Sequence, residues 1–261
     1  MEFLTAADRA ALWISVSQIR SFQLCPARYR LRYLLGAEPE HKSQNLVLGT
    51  AVHEALALYY VTLQAGMEVE AAAVEALFVE SFVKAAAEGP GVLLEEGQKL
   101  ADVEAVGLSL VRTFLAQVQV PHEVVAVEAP FYVDVVDPET GEVLEEQLTG
   151  YLDAVVKDAG GALVVLEHKT AARAWSQDQL DFDLQVSMYQ AVTQAEKVRL
   201  QVLTKTKVPK LLVHDLQRSE REQVEAVTIV CRVLDAIRAG AFWPNPGWAC
   251  RECEFRKQCR G

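Results

Sequence analysis

Three charged residues in the middle of the chain could carry out hydrolysis together: Asp153, Glu167 and Lys169. Glu167 and Lys169 stand two apart in ALVVLEHKT, an apolar, β-branched run that reads as a buried strand, so both side chains point to the same face. Asp153 lies in the preceding strand, QLTGYLDAVVKD, and the DAGG turn lets it approach the same point. Two converging carboxylates make a hard oxygen site suited to Mg²⁺ or Mn²⁺. A lysine beside them can position and help activate a water, and can stabilise charge developing on a phosphodiester. Alone, an Asp followed by Glu-x-Lys is also the pattern of a salt-bridged surface hairpin.

The flanks add to the triplet. Gln185 and Tyr189 stand at i and i+4 of the next helical segment and share one face. Upstream, His53 sits in LGTAVHEALALYY, where a lone helical histidine would ordinarily be a satisfied core or surface residue. Here it is one member of an ordered set: SVSQIRSFQLCPARY, GTAVHEAL, GYLDAVV, LEHKT and QVSMY.

A second constellation is sulfur-based. The chain has five cysteines, an odd number that argues for ligand chemistry over a disulfide framework. Cys250, Cys253 and Cys259 are spaced x2 and x5 in the tail, and Cys25 precedes Pro26 far upstream. Three close thiolates and one distant one suit a tetrahedral metal or a cubane cluster, and the spacing leaves structural zinc and iron–sulfur both open. Cys231, in TIVCRVL, reads as a small core residue. Trp243 and Trp248 flank the tail prolines; they could stack on bases of a single strand, although packing around the cysteines is the favoured reading.

The elements that must position these residues follow from periodicity and punctuation. Residues 15–36 read as a helix capped by Ser15 or Ser17, with Pro26 starting its second half and Gly36 ending it. Residues 37–47 are loop-like, and a helix follows Gly49 and ends at Gly66. Residues 68–88 and 95–119 are Ala- and Glu-rich helices separated by EGPG, and 66–120 reads as a helical insertion without chemistry of its own. From His122 the chain turns strand-rich, with EVVAVEAPFYVDVVD, a DPETGE turn and the two strands of the triplet. DQLDFDLQVSMYQAVTQA is helical, VRLQVLTKTK and KLLVHDL are strands around Val208–Pro209, and 219–239 is a long helix stopped by Gly240. The tail, 241–261, has little regular signal. These elements read as a single α/β domain over 1–261.

The formal net charge of −11 is unevenly spread. Residues 15–36 carry +4, 197–218 carry +5 and 248–261 carry +2, on an otherwise acidic body. That pattern fits a localised phosphate-binding track, with ordinary solvated faces as the alternative for any one segment. Apolar stretches are broken by charges before membrane-spanning length, and the N-terminus lacks a basic secretory leader. A cytoplasmic location without membrane association is the expectation.

With these motifs in order, the chain resembles the RecB-like branch of the PD-(D/E)XK nucleases, which includes RecB and AddB nuclease domains and iron–sulfur exonucleases of CRISPR adaptation. The resemblance implies a restriction-endonuclease-like central mixed sheet flanked by helices. It implies that His53, Asp153, Glu167 and the backbone carbonyl of His168 bind Mg²⁺ or Mn²⁺, that Lys169 is the catalytic lysine, and that Gln185 and Tyr189 organise the site and contact DNA. It also implies a 4Fe-4S cluster on Cys25, Cys250, Cys253 and Cys259, stapling the tail to the first helix. The implied activity is exonucleolytic cleavage of single-stranded DNA or frayed ends, in repair, recombination, phage DNA processing or CRISPR adaptation, with a helicase or adaptation protein as a candidate partner. The alternatives are a non-catalytic iron–sulfur DNA-binding or scaffold subunit, and a zinc-dependent binding module. The first would be marked by a lost catalytic position, and none is lost.

Overall fold

The computed structural model describes residues 13–261, so the reading of the N-terminal lead-in lies outside the described residues over 1–12. In chain order the first elements are β1 (Trp13–Ser15), α1 (Val16–Leu24), α2 (Pro26–Tyr29) with a π-helical continuation (Arg30–Leu34), β2 (Lys42–Ser43), α3 (Gln44–Gln64), α4 (Ala71–Ala87), β3 (Val92–Leu93) and α5 (Leu100–Gln117). There follow β4 (Glu123–Val136), β5 (Val143–Lys157), β6 (Leu163–Ala171), α6 (Gln177–Asp181), α7 (Leu184–Thr193), β7 (Lys197–Thr204), β8 (Leu211–Leu216), α8 (Glu220–Arg238), a 3-10 turn (Trp248–Glu252) and α9 (Arg256–Arg260).

Two compact units form: one of residues 41–129 and 151–217, the other of the described residues before 41 with 130–150 and 218–261. In the first unit β5, β6, β7 and β8 lie side by side. The β5–β6 pair is antiparallel, with Ala154 opposite Leu166. The β6–β7 pair is parallel, with Glu167 opposite Leu200, and β7–β8 is antiparallel, so the sheet is mixed. One hydrophobic cluster joins α3, α4 and α5 to these strands through Leu56, Tyr60, Phe78, Phe114, Val164 and Leu203.

α3 holds this unit together. Ser43 caps it by accepting from the Asn45 N–H at 3.2 Å. Its buried residues Val47, Leu48, Ala51, Val52, Ala55, Leu56, Tyr59 and Tyr60 recur at helical spacing and form its core stripe. By length and composition this helix could cross a bilayer, which corrects the sequence reading that no such stretch exists. Its apolarity is accounted for by that stripe and by its packing against α4 and α5. The helix also begins five residues before Gly49, because the Ser43 cap starts it inside the segment read as loop.

The second unit pairs β1 in parallel with β5, Trp13 opposite Gln147. The helix expected over 15–36 breaks at Cys25, whose backbone is extended (φ −162°, ψ 106°). Pro26 accounts for the break: it donates no N–H, and it disfavours helical geometry in the residue before it. The segment after Trp175 divides similarly. Asp183 accepts from the Val186 N–H at 3.0 Å and starts α7 as a new helix after α6.

Candidate active site

β6 is an interior strand of the first unit, and its alternation places Glu167 and Lys169 on one face. Glu167 is 1% exposed, and one of its oxygens pairs with the Lys169 ammonium. The same ammonium donates to Gln185 Oε1 at 2.7 Å. Gln185 Nε2 donates to the Tyr189 hydroxyl at 2.6 Å, and that hydroxyl donates to the Tyr151 carbonyl at 2.7 Å. Gln185 and Tyr189 therefore work as a relay that aims Lys169 from α7 and anchors it to β5.

Asp153 is held from two sides. Its Oδ1 meets His53 Nδ1 at 3.2 Å, and its Oδ2 accepts the His168 backbone N–H at 2.7 Å. The His168 side chain turns away into the core, stacked on Tyr60 with ring centroids 5.4 Å apart and edge-on to Phe114. Burial pulls its imidazole down to about 4, so it stays neutral.

Electrostatics separate the two acids. Burial pushes Asp153 up, but the His53 bond and charge and the His168 N–H outweigh it and hold the carboxyl well below its ordinary range. Burial pushes Glu167 up, Lys169 offsets part of that, and the nearby Asp153 charge adds to it, leaving Glu167 above its ordinary range. For His53, burial lowers the pKa, yet the Asp153 bond and charge dominate and raise it overall.

Each Asp153 oxygen has a protein donor, but Glu167 Oε2 is buried without a hydrogen-bond partner. A buried carboxylate oxygen left in this way is costly unless a cation or donor completes it. Among the described residues no three His, Cys, Asp or Glu side chains close on one point as a ready-made metal site, because the acids are turned onto Lys169, His53 and the His168 N–H. The two carboxylates nonetheless fit a hard divalent cation, and the imidazole beside them is a donor that Mn²⁺ accepts more readily than Mg²⁺.

The structure adds Glu128, which the sequence reading passed over. It lines a cavity of about 560 Å³ together with His53, and its backbone is left-handed (φ 47°) in the midst of β4. Burial first, and then the Asp153 charge, raise its carboxyl pKa. The only sequence signal was an acid interrupting the apolar alternation of VVAVEAPF.

The second unit brings Cys25, Cys250, Cys253 and Cys259 to the wall of one cavity, which Arg28, Arg256 and Arg260 also line, although among the described residues no three of these thiols close on one point as a metal group. The Asn245 N–H donates to Cys25 Sγ at 3.4 Å. Cys231 lies buried in α8, apart from that cavity. Trp243 meets Phe22 edge-on at 6.2 Å yet is 54% exposed, Trp248 is 85% exposed, and neither lines the cysteine cavity, so packing around the cysteines is not what holds the two indoles. The expected phosphate track is partly spent internally. Arg28 and Arg32 pair with Glu254, Lys197 bridges Asp158 and Asp215, and Arg199 pairs with Asp215.

Comparison with known proteins bears on this arrangement. The chain is similar in structure to a Eubacterium rectale protein whose name proposes an exonuclease, at 15% identity and a TM-score of 0.53, over 100% of this chain and 94% of the other. It is also similar to SSO0001, at 15% identity and a TM-score of 0.42, over 90% of this chain and 94% of that one. No curated protein matches it in sequence. A family model described as the PD-(D/E)XK nuclease superfamily matches residues 13–260, from β1 through α9. The chain belongs to the PD-(D/E)XK nuclease superfamily.

Proposed function

We propose that this nuclease-family chain is a metal-dependent deoxyribonuclease of the RecB-like branch, acting as an exonuclease on single-stranded DNA or frayed ends. The observation that carries the reading is Glu167 Oε2, a buried carboxylate oxygen without a partner beside the aimed Lys169. Asp153, Glu167, His53 and the His168 carbonyl would hold Mg²⁺ or Mn²⁺, which when bound supplies Lewis acidity and a more acidic water. Lys169, aimed by Gln185, would orient the attacking water and offset the charge gathering on the phosphate. Tyr189 keeps Gln185 turned toward Lys169 and leaves the β5 carbonyl satisfied.

The four cysteines are read as ligands of a 4Fe-4S cluster with a structural role. Their shared cavity, the N–H donated to Cys25, and Arg256 and Arg260 on the cavity wall support this. A helicase or CRISPR-adaptation protein as partner, and a place in the cytoplasm, belong to the same reading.

The test uses protein purified without oxygen, its absorption spectrum, and cleavage of end-labelled single-stranded DNA with Mn²⁺ or Mg²⁺. Brown protein with metal-dependent cleavage is expected, and Lys169→Ala should lose at least about 10²-fold in rate. Wild-type rates in a folded Lys169→Ala protein would sink the mechanism, and colourless protein with stoichiometric zinc would replace the cluster assignment.

A further inference from the structure

The cavity beside His53 follows the outer side of α3, from Asn45 through Gly49 and Thr50 to His53, with Glu128 across from it. We propose that this groove seats the sugar-phosphate backbone of one DNA strand next to the scissile bond, with Gly49 and Thr50 as its contacts and Lys205 with Asn45 as its far anchor. The proposal rests on the deoxyribonuclease reading above and names where its substrate strand runs.

Gly49 is the first reason. It lies in the interior of a 21-residue helix, where glycine costs roughly 1 kcal/mol relative to alanine. Its backbone is not left-handed, and a Cβ added there would meet no atom within 4 Å. Neither a turn nor packing within the protein explains the missing side chain. It leaves helix backbone bare on the floor of the groove, as the close approach of a ligand would require.

Thr50 is the second reason. The other helical threonines turn their hydroxyls back onto the preceding turn: Thr62 to Leu58 O, Thr113 to Ser109 O, Thr193 to Tyr189 O and Thr228 to Val224 O, at 2.6–2.9 Å. Thr50 makes no such bond among the described residues. It is exposed and lines the groove, so its hydroxyl remains available as a donor.

Charge gives the groove a direction. At one end the Lys205 ammonium donates to Asn45 Oδ1. At the other end lie His53, Glu54 and Glu128, near Asp153. The acidic end suits a cation, and the lysine end suits a phosphate further along the strand. From Asn45 to His53 the helix rises ~12 Å, a length for a nucleotide or two and not for a duplex. The cavity's size, about 560 Å³, agrees with that.

The experiment measures anisotropy of a labelled oligothymidine on the full chain, with Ca²⁺ replacing Mg²⁺ to suppress cleavage, across a salt series. Gly49→Ala should raise Tm by ~2 °C, since it improves the helix, while DNA affinity falls at least about fivefold. Thr50→Val should weaken binding about fivefold at unchanged Tm. Lys205→Gln should reduce the slope of log affinity against log salt by about 0.7. A Gly49→Ala protein that is more stable yet binds like wild type would overturn the groove. Should Gly49→Ala lower Tm, Thr50→Val decides: wild-type affinity there overturns the proposal equally. Wild-type protein that neither binds nor cleaves DNA would defeat the deoxyribonuclease reading itself, whereas an active wild type with indifferent groove variants would defeat only the groove.

Discussion

The acids around Asp153 and the cysteines around Cys25 are both assembled from distant stretches of chain, but by different means. Glu167 and the His168 side chain are 1% and 3% exposed on a central strand, and Asp153 stands on the strand paired with it. Their backbones are fixed by sheet hydrogen bonds and by a shared apolar core, whatever the polar side chains do. The cysteine region rests on side-chain packing and not on strands: Phe22, Tyr29 and Phe255 are buried there, and Tyr29 stacks on Phe242. Cys25, Cys250 and Cys253 are half-buried and Cys259 is exposed. The local helices are α2, of four residues, and α9, of five, too short to persist alone. Polar clasps hold them: Arg28 and Arg32 on buried Glu254, the Lys257 N–H on Glu40, and Gln258 on the Glu38 carbonyl. A site set on a rigid sheet should lose chemistry before stability when altered, and a site held by clasps and by the proposed cluster should lose both together.

The largest expected effect sits on the sheet. Glu167→Gln keeps the shape and removes the charge, so cleavage should fall at least about 10²-fold with Tm unchanged or higher. Single-turnover rates and a thermal melt on the same sample check it, and a Tm drop of several degrees would erase the contrast.

Next comes the cysteine region. On the proposed cluster assignment, Cys25→Ser should remove the visible absorbance and lower Tm together, because the proposed cluster tying α1 to the tail would go with it. Cys231→Ala, which removes a thiol already buried in α8, should leave the absorbance intact. Full iron content in the Cys25 variant, measured alongside the melt, would show that the distant cysteine is no ligand.

The smallest effect is electrostatic and sharpens the rigid side of the comparison. In metal-free protein the His53–Asp153 pair stabilises the fold through two shifts of opposite sign. The raised His53 pKa gives stability that is full below the unfolded value, ~6.5, and is lost as pH rises through the folded value. The depressed Asp153 pKa gives stability present above the unfolded value, ~3.9, and lost only as pH falls through the folded value, about 2. The Tm gap between wild type and His53→Asn should therefore be widest at about pH 5–6 and shrink toward about pH 9. A gap that is flat with pH would show that the pair contributes nothing through charge.

What the sequence determined by itself is local and periodic. Glu167 and Lys169 share a face because strand side chains alternate, and Gln185 and Tyr189 share one because a helix turns every 3.6 residues. The x2 and x5 cysteine spacing and the Pro26 break are likewise set within a few residues of chain. The tertiary structure decided what depends on contacts across long separations, where no period carries information. It brought His53 onto Asp153 across 100 residues, drew Glu128 into the same cavity through a left-handed backbone, and spent Arg28 and Arg32 on Glu254 instead of on a phosphate track. It left both Trp243 and Trp248 largely in solvent, with only one edge of Trp243 against Phe22. Gly49 shows the division most sharply. The sequence marks it as a helix boundary, because glycine usually punctuates, whereas the Ser43 cap and the buried stripe of α3 run the helix straight through it.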